Sequence, residues 1–114
     1  MSFAAPLPSV PAASVPADAL VLDVREDQEW AAGRVEGAVH VPMSDFVARF
    51  AEVGELLADR GRAYVMCRVG GRSAQVTQYL VQQGYDAVNV DGGMVAWEGA
   101  GRPVVADNGP GFVA

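Results

Sequence analysis

The stretch "VMCRVGGRSAQV", Val65 to Val76, holds the only cysteine of the chain, Cys67, with two arginines and two glycines in the five residues that follow it. The thiolate is the nucleophilic form of cysteine, and a loop that presents backbone N–H groups to the sulfur favours that form. Gly70 and Gly71 can adopt positive φ, which other residues resist. A chain bent there turns several amides inward and makes a concave nest for an anion. A helix that starts near Ser73 adds its own unbonded N–H groups and the positive end of its dipole. Arg68 and Arg72 can each hold an oxyanion through paired hydrogen bonds. These features suit a cysteine that ionises and attacks an electrophile. The alternative is an inert thiol packed in the core, the common state of an unpaired cysteine. The glycine pair, the arginines and the helix start argue against it.

The elements that must position this loop read as alternating strands and helices. "ALVLDV" (Ala19 to Val24) is a short apolar run of the kind buried in parallel sheets. "REDQEWAAG" follows as a helix that stops at Gly33, with Glu26, Asp27 and Glu29 as a solvated first turn. "GAVHVP" is a strand closed by Pro42. "SDFVARFAEVGELLADRG" predicts a helix capped by Ser44, with Phe46, Phe50, Val53 and Leu57 on one face and a weak point at Gly54. "RAYVMC" is a strand ending at Cys67, and "SAQVTQYLVQQG" is a helix with Val76, Tyr79 and Leu80 on one face. "AVNVD" is a buried strand; "GGMVAWEGAG" is a tight turn and short helix, the "DGG" at Asp91 being simply a turn. "PLPSV" supplies a first strand, and "RPVVADNGPGFVA" is a tail mobile at its end. Such alternation implies crossover units, hence an α/β fold with a mostly parallel sheet and helices on both faces. Ligands of such sheets bind at the carboxyl ends of the strands, where Cys67 falls.

Composition narrows the chemistry. At 114 residues the chain makes one domain, divided as a lead-in (1–6), the domain proper (7–105) and a tail (106–114). The formal charge is −6 and all eight basic residues are arginine, as in chains from GC-rich bacterial genomes. An acidic chain without lysine predicts no nucleic-acid partner. Two nearby arginines can still draw in a small anion, because more distant carboxylates are screened beyond about 8 Å at physiological salt. No apolar run reaches the roughly 20 residues of a membrane helix, and the start lacks a signal-peptide pattern. One His and one Cys are too few for a protein-built zinc site, so neither metal nor cofactor is expected. A lone cysteine fits a reducing compartment, and the expected location is the cytoplasm.

The other candidate residues divide between site and scaffold. His40 could form a dyad with Cys67, but it lies in the apolar run "AVHVP" and a thiol already ionised needs no base. Asp23 and Arg25 end a strand; they either line the pocket mouth or make a structural ion pair with loop backbone. Trp30 and Trp97 sit in helical contexts and read as core.

Taken together, these segments resemble the rhodanese-like sulfurtransferases. "CRVGGRS" is similar to that family's active-site loop, cysteine-x-x-glycine-x-arginine. "LVLDVREDQEWAAGRVEGAVHVP" resembles its first signature region and "VNVDGGMVAWEGAGRPV" its closing one, in the family's order across Leu7 to Val105. The resemblance implies a five-stranded parallel sheet flanked by helices. It implies that Cys67 takes the outer sulfur of a small anionic donor such as thiosulfate, becomes a persulfide, and yields the sulfur to cyanide or to a thiol, free or on a protein. By position, Arg68, Val69, Gly70, Gly71, Arg72 and Ser73 form the substrate-binding and persulfide-stabilising loop, Arg72 bracing it and Arg68 facing the donor. A domain this small implies a shallow, open pocket. The four residues between Cys67 and Arg72 resemble the sulfur-handling loop; relatives with five hold phosphate or arsenate, as in the cell-cycle dual-specificity phosphatases. A phosphatase or arsenate reductase is therefore the lesser alternative, and a non-catalytic sulfur carrier or regulatory module the other. Arg34 and Glu36 depart from the family's usual histidine and proline, with little catalytic effect expected.

Overall fold

The computed structural model describes residues 6–114; residues 1–5 of the lead-in lie outside it. Five strands form one sheet: β1 (Ser9–Pro11), β2 (Leu20–Asp23), β3 (Val39–His40), β4 (Ala63–Met66) and β5 (Ala87–Asp91). Their order is β1-β5-β4-β2-β3, and every neighbouring pair is parallel. The parallel arrangement forces crossovers, made by α1 (Asp27–Ala32) between β2 and β3, α2 (Phe50–Arg60) between β3 and β4 and α3 (Gly71–Gln82) between β4 and β5; α4 (Gly93–Gly99) follows β5.

Alternation along the strands splits the core in two. Leu20, Leu22 and Val24 pack with Val53 and Leu57 of α2 and with Val76 and Leu80 of α3. Val21, Met66 and Val90 face the opposite side, against Met94 and Trp97 of α4 and the turn at Ala12 and Val15. The central strands β2 and β4, flanked by strands and covered on both faces, are nearly continuous in apolar residues for that reason. Among the described residues no helix is long and apolar enough to cross a membrane.

Three expectations change. The second helix starts at Phe50, not at Ser44: Met43–Asp45 form a separate 3-10 turn, and the Ser44 hydroxyl donates to Glu26 instead of capping α2. That helix runs through Gly54 without a break, since the missing side chain leaves room for the Tyr85 hydroxyl, 2.7 Å from where a β-carbon would stand. The tail is folded. β6 (Val105–Ala106) and β7 (Gly109–Pro110) pair as a hairpin, and the Phe112 amide donates to the Ala32 carbonyl. Val113 packs on the second core. Gly33 stops α1 in extended backbone (φ 175°), and its role is close approach, because a β-carbon there would collide with the Phe112 backbone.

Candidate active site

At the carboxyl end of β4 the chain leaves the sheet at Cys67 and enters α3 at Gly71. Gly70 caps the helix in left-handed backbone, φ 109°. The start of α4 holds this loop from outside. The Met94 and Val95 amides donate to the carbonyls of Cys67 and Arg68, at 2.9 and 3.0 Å. Those carbonyls are thereby turned away, which leaves the loop amides to face the sulfur. The approach demands glycine: Gly93 has φ 54°, and a β-carbon on it would collide with both carbonyl oxygens. The "DGG" segment, read from sequence as a plain turn, is thus the support on which the cysteine loop is seated.

The Gly70 amide donates to the Cys67 sulfur at 3.0 Å and the Ser73 hydroxyl lies 3.2 Å from it. Burial pushes the thiol up and is the largest single influence. The Ser73 hydroxyl and the backbone amides of Ser73, Gly70 and Val69 together outweigh it, so the thiol titrates below its ordinary range. The pocket is not open. Cys67 is only 1 % exposed: its inner side joins the core of Leu22, Val65 and Val76, and the loop curls over it because its amides converge on one atom. A cavity of about 450 Å³ lined by Leu7 and Gln78 lies apart from Cys67, whose sulfur sits in a cup of amides.

Arg72 and Glu29 form a bidentate ion pair at 2.6 and 2.8 Å that ties α3 to α1. The Arg72 guanidinium holds the Glu29 carboxyl below its usual range, and Glu29 raises Arg72 in turn. Glu29 is therefore not part of a solvated helix start, and Glu26 makes a capping box with it. The charge of Arg72, at the first turn of α3, is thus met by Glu29. Exposed Arg68 donates from Nε to the Ala114 main-chain oxygen at 2.9 Å. Val69 and Gly71 are exposed and Gly70 is half-buried, so the outer rim of the cup is formed by Arg68, Val69 and Gly71.

Asp23 and Arg25 do not reach a pocket mouth. Both are fully buried and paired at 2.8 Å, and Arg25 also donates to the Glu29 and Gly33 carbonyls. A buried guanidinium needs acceptors, and here Asp23 of β2, Glu29 of α1 and Gly33 just past that helix supply them. His40 is not a dyad partner: its Nε2 lies 2.7 Å from the Arg25 carbonyl, and its ring stacks on Trp30 at 4.5 Å. Arg34 lies over Trp30, 4.8 Å from the ring, and pairs with Asp107. Trp97 is core, as expected, its indole N–H bonded to the Pro103 carbonyl.

Two buried polar residues, Thr77 of α3 and Asn89 of β5, are not among the candidates drawn from the sequence. Asn89 of β5 is 5 % exposed, and its Oδ1 lies 2.5 Å from the Ser73 hydroxyl. The signal was an asparagine at an inward position of the apolar run "AVNVD".

Comparison with known proteins agrees with this geometry. The family model described as Rhodanese-like domain matches residues 12–100. The chain is 44 % identical over 84 residues to the protein named "Putative sulfurtransferase YtwF" of Bacillus subtilis (strain 168), covering 73 % of this chain and 77 % of that one. It is 40 % identical over 93 residues to a protein of Allochromatium vinosum named "Sulfurtransferase", covering 81 % and 83 %. The crystal structure of a rhodanese-related protein from Thermoplasma volcanium superposes with a TM-score of 0.78 at 31 % identity, over 88 % of this chain and 99 % of that one.

Proposed function

We propose, from the premise that this chain belongs to the rhodanese-like domain family, that it is a sulfurtransferase whose Cys67 takes sulfane sulfur from a small anionic donor and passes it on as a persulfide. The relatives named as sulfurtransferases support the general activity. The finer reading rests on one observation: the Gly70 amide and the Ser73 hydroxyl converge on a single sulfur atom.

With thiosulfate as donor, the Cys67 thiolate attacks the outer sulfur. The new bond joins the Cys67 sulfur to that atom, the sulfur–sulfur bond of thiosulfate breaks, and sulfite leaves with the bonding pair. Charge is conserved, so no proton need move and no base is required. That agrees with the scaffold role of His40. The persulfide anion sits over the same amides. An acceptor thiolate, or cyanide, then attacks the outer sulfur and returns Cys67 as thiolate. Arg68, at the rim, is the cation that meets the donor; Arg72 keeps the loop in shape. The four-residue spacing between Cys67 and Arg72 supports sulfur over phosphate or arsenate. A lone thiol doing this work belongs in a reducing compartment, the cytoplasm.

Incubation with thiosulfate should add one sulfur, about 32 Da, to the intact protein. The adduct should vanish with cyanide and should not form on Cys67→Ser. A wild-type chain that stays unmodified, or a Cys67→Ser chain that still gains the mass, would refute the assignment. Hydrolysis of an aryl phosphate inhibited by vanadate would favour the phosphatase reading instead.

A further inference from the structure

The Ser73 hydroxyl has one hydrogen and two claimants. Its oxygen lies 3.2 Å from the Cys67 sulfur and 2.5 Å from Asn89 Oδ1. A hydroxyl donates one bond and accepts up to two. With the Asn89 carbonyl turned to Ser73, the nearer acceptor takes the hydrogen and the sulfur loses its side-chain donor. With the amide turned over, Nδ2–H donates to the Ser73 oxygen, and the hydroxyl hydrogen is released to the sulfur. The bond sacrificed by that turn, Asn89 Nδ2 to the Gly70 carbonyl, is long at 3.4 Å and correspondingly weak. A charge-assisted bond to a thiolate is about twice as strong as a neutral one, so the anion itself favours the turned amide.

We propose that Asn89 is a positioning residue for the reaction: the orientation of its buried amide decides whether the Ser73 hydrogen rests on the Cys67 sulfur. The amide faces Ser73 by its carbonyl when the sulfur is neutral and by its N–H groups when the sulfur is charged. Asn89 touches no substrate and acts through Ser73. Its burial shields the exchange from water, which would otherwise supply hydrogen bonds to either orientation. The charged groups around the loop include Arg68, Arg72 with its partner Glu29, Glu26 beside that pair, and exposed Asp91 at the end of β5; the Asp23–Arg25 pair at the end of β2 is self-neutralising.

The proposal rests on Cys67 being the reacting group. Its test needs no sulfur donor, so a chain that failed to load from thiosulfate would still report on Asn89. The rate of alkylation by iodoacetamide, a small reagent, is measured against pH for the wild type, Asn89→Asp and Asn89→Leu. Each variant is also made with Ser73→Ala, and thermal melting is followed for all. Aspartate at this position only accepts, so it draws the hydrogen off the sulfur; alkylation below the wild-type midpoint should slow about tenfold, the worth of one bond to a charged group. Leucine is of similar size and accepts nothing, so it leaves the hydrogen to the sulfur and should react at least as fast as wild type. Without Ser73 the gap between the Asp and Leu variants should narrow. A merely structural Asn89 would slow both variants alike. That result, an Asn89→Asp chain reacting at the wild-type rate, or a gap undiminished by Ser73→Ala, overturns the proposal. Should the Leu variant fail to fold, the Asp comparison with and without Ser73 decides alone.

Discussion

The chemistry of the site is a balance at one atom. Burial alone would raise the Cys67 thiol, and the donors around it reverse the sign. Ser73→Ala should therefore move the pH midpoint of Cys67 alkylation upward, toward the ordinary cysteine value of about 8.5. The linkage carries a sign for stability as well. A thiol whose folded value is depressed stabilises the fold above its unfolded value, and that contribution is lost as pH falls through the folded one. In wild type, stability followed by urea unfolding should thus rise with pH across the interval between the two values, and the rise should shrink in Ser73→Ala. Glu29 obeys the same rule further down the scale, since Arg72 depresses it: the brace persists through neutral pH and fails only in acid, below the usual carboxylate range. Glu29→Gln should cost no more than about 1 kcal/mol in stability, as partly exposed pairs do. Its effect on the rate of persulfide formation should be larger than that small change in stability implies, because the loop loses its brace.

Between residues and fold stand two devices, the start of α4 and the buried ion pair. The amides of Met94 and Val95 hold the carbonyls of Cys67 and Arg68 through a contact that only glycine permits at position 93. Gly93→Ala combines positive φ with a collision against backbone; it should cost several kcal/mol, read as a lowered denaturant midpoint. It should also free the loop carbonyls and abolish thiosulfate loading in whatever fraction still folds. Asp23→Ala strands the Arg25 guanidinium at zero exposure, and loss of one partner of a buried pair costs roughly 3–5 kcal/mol. What was legible from sequence follows from what local pattern encodes. The strands announced themselves as apolar runs, and the loop announced itself through Cys67, Gly70, Gly71 and Arg72 within six positions. Contacts between distant segments left no local trace. Glu29 and Arg72 are 43 residues apart and Ser73 and Asn89 are 16 apart, so their pairing exists only after crossover connections bring strand ends together. The start of α2 was misplaced because Ser44 is a good helix cap that Glu26 claims instead.

At the scale of the molecule, the tail closes the carboxyl end of the sheet. It pairs Asp107 with Arg34, the Phe112 amide with Ala32, and Ala114 with Arg68. Removal of residues 107–114 should lower stability by about 2 kcal/mol, a fall in Tm on the order of 10 °C for a domain of this size. Calorimetry of the shortened chain checks it. The sulfur at the centre of all this presents almost no surface of its own. In the proposed persulfide the outer atom lies about 2 Å from the Cys67 sulfur, the length of one sulfur–sulfur bond. The bare sulfur is thus shielded from bulky disulfides and oxidants, and in the proposed persulfide the cargo is set nearer the rim. On that proposal large thiols should react with the loaded form and pass over the bare one, so the depth that guards the cysteine would also mark when there is sulfur to collect.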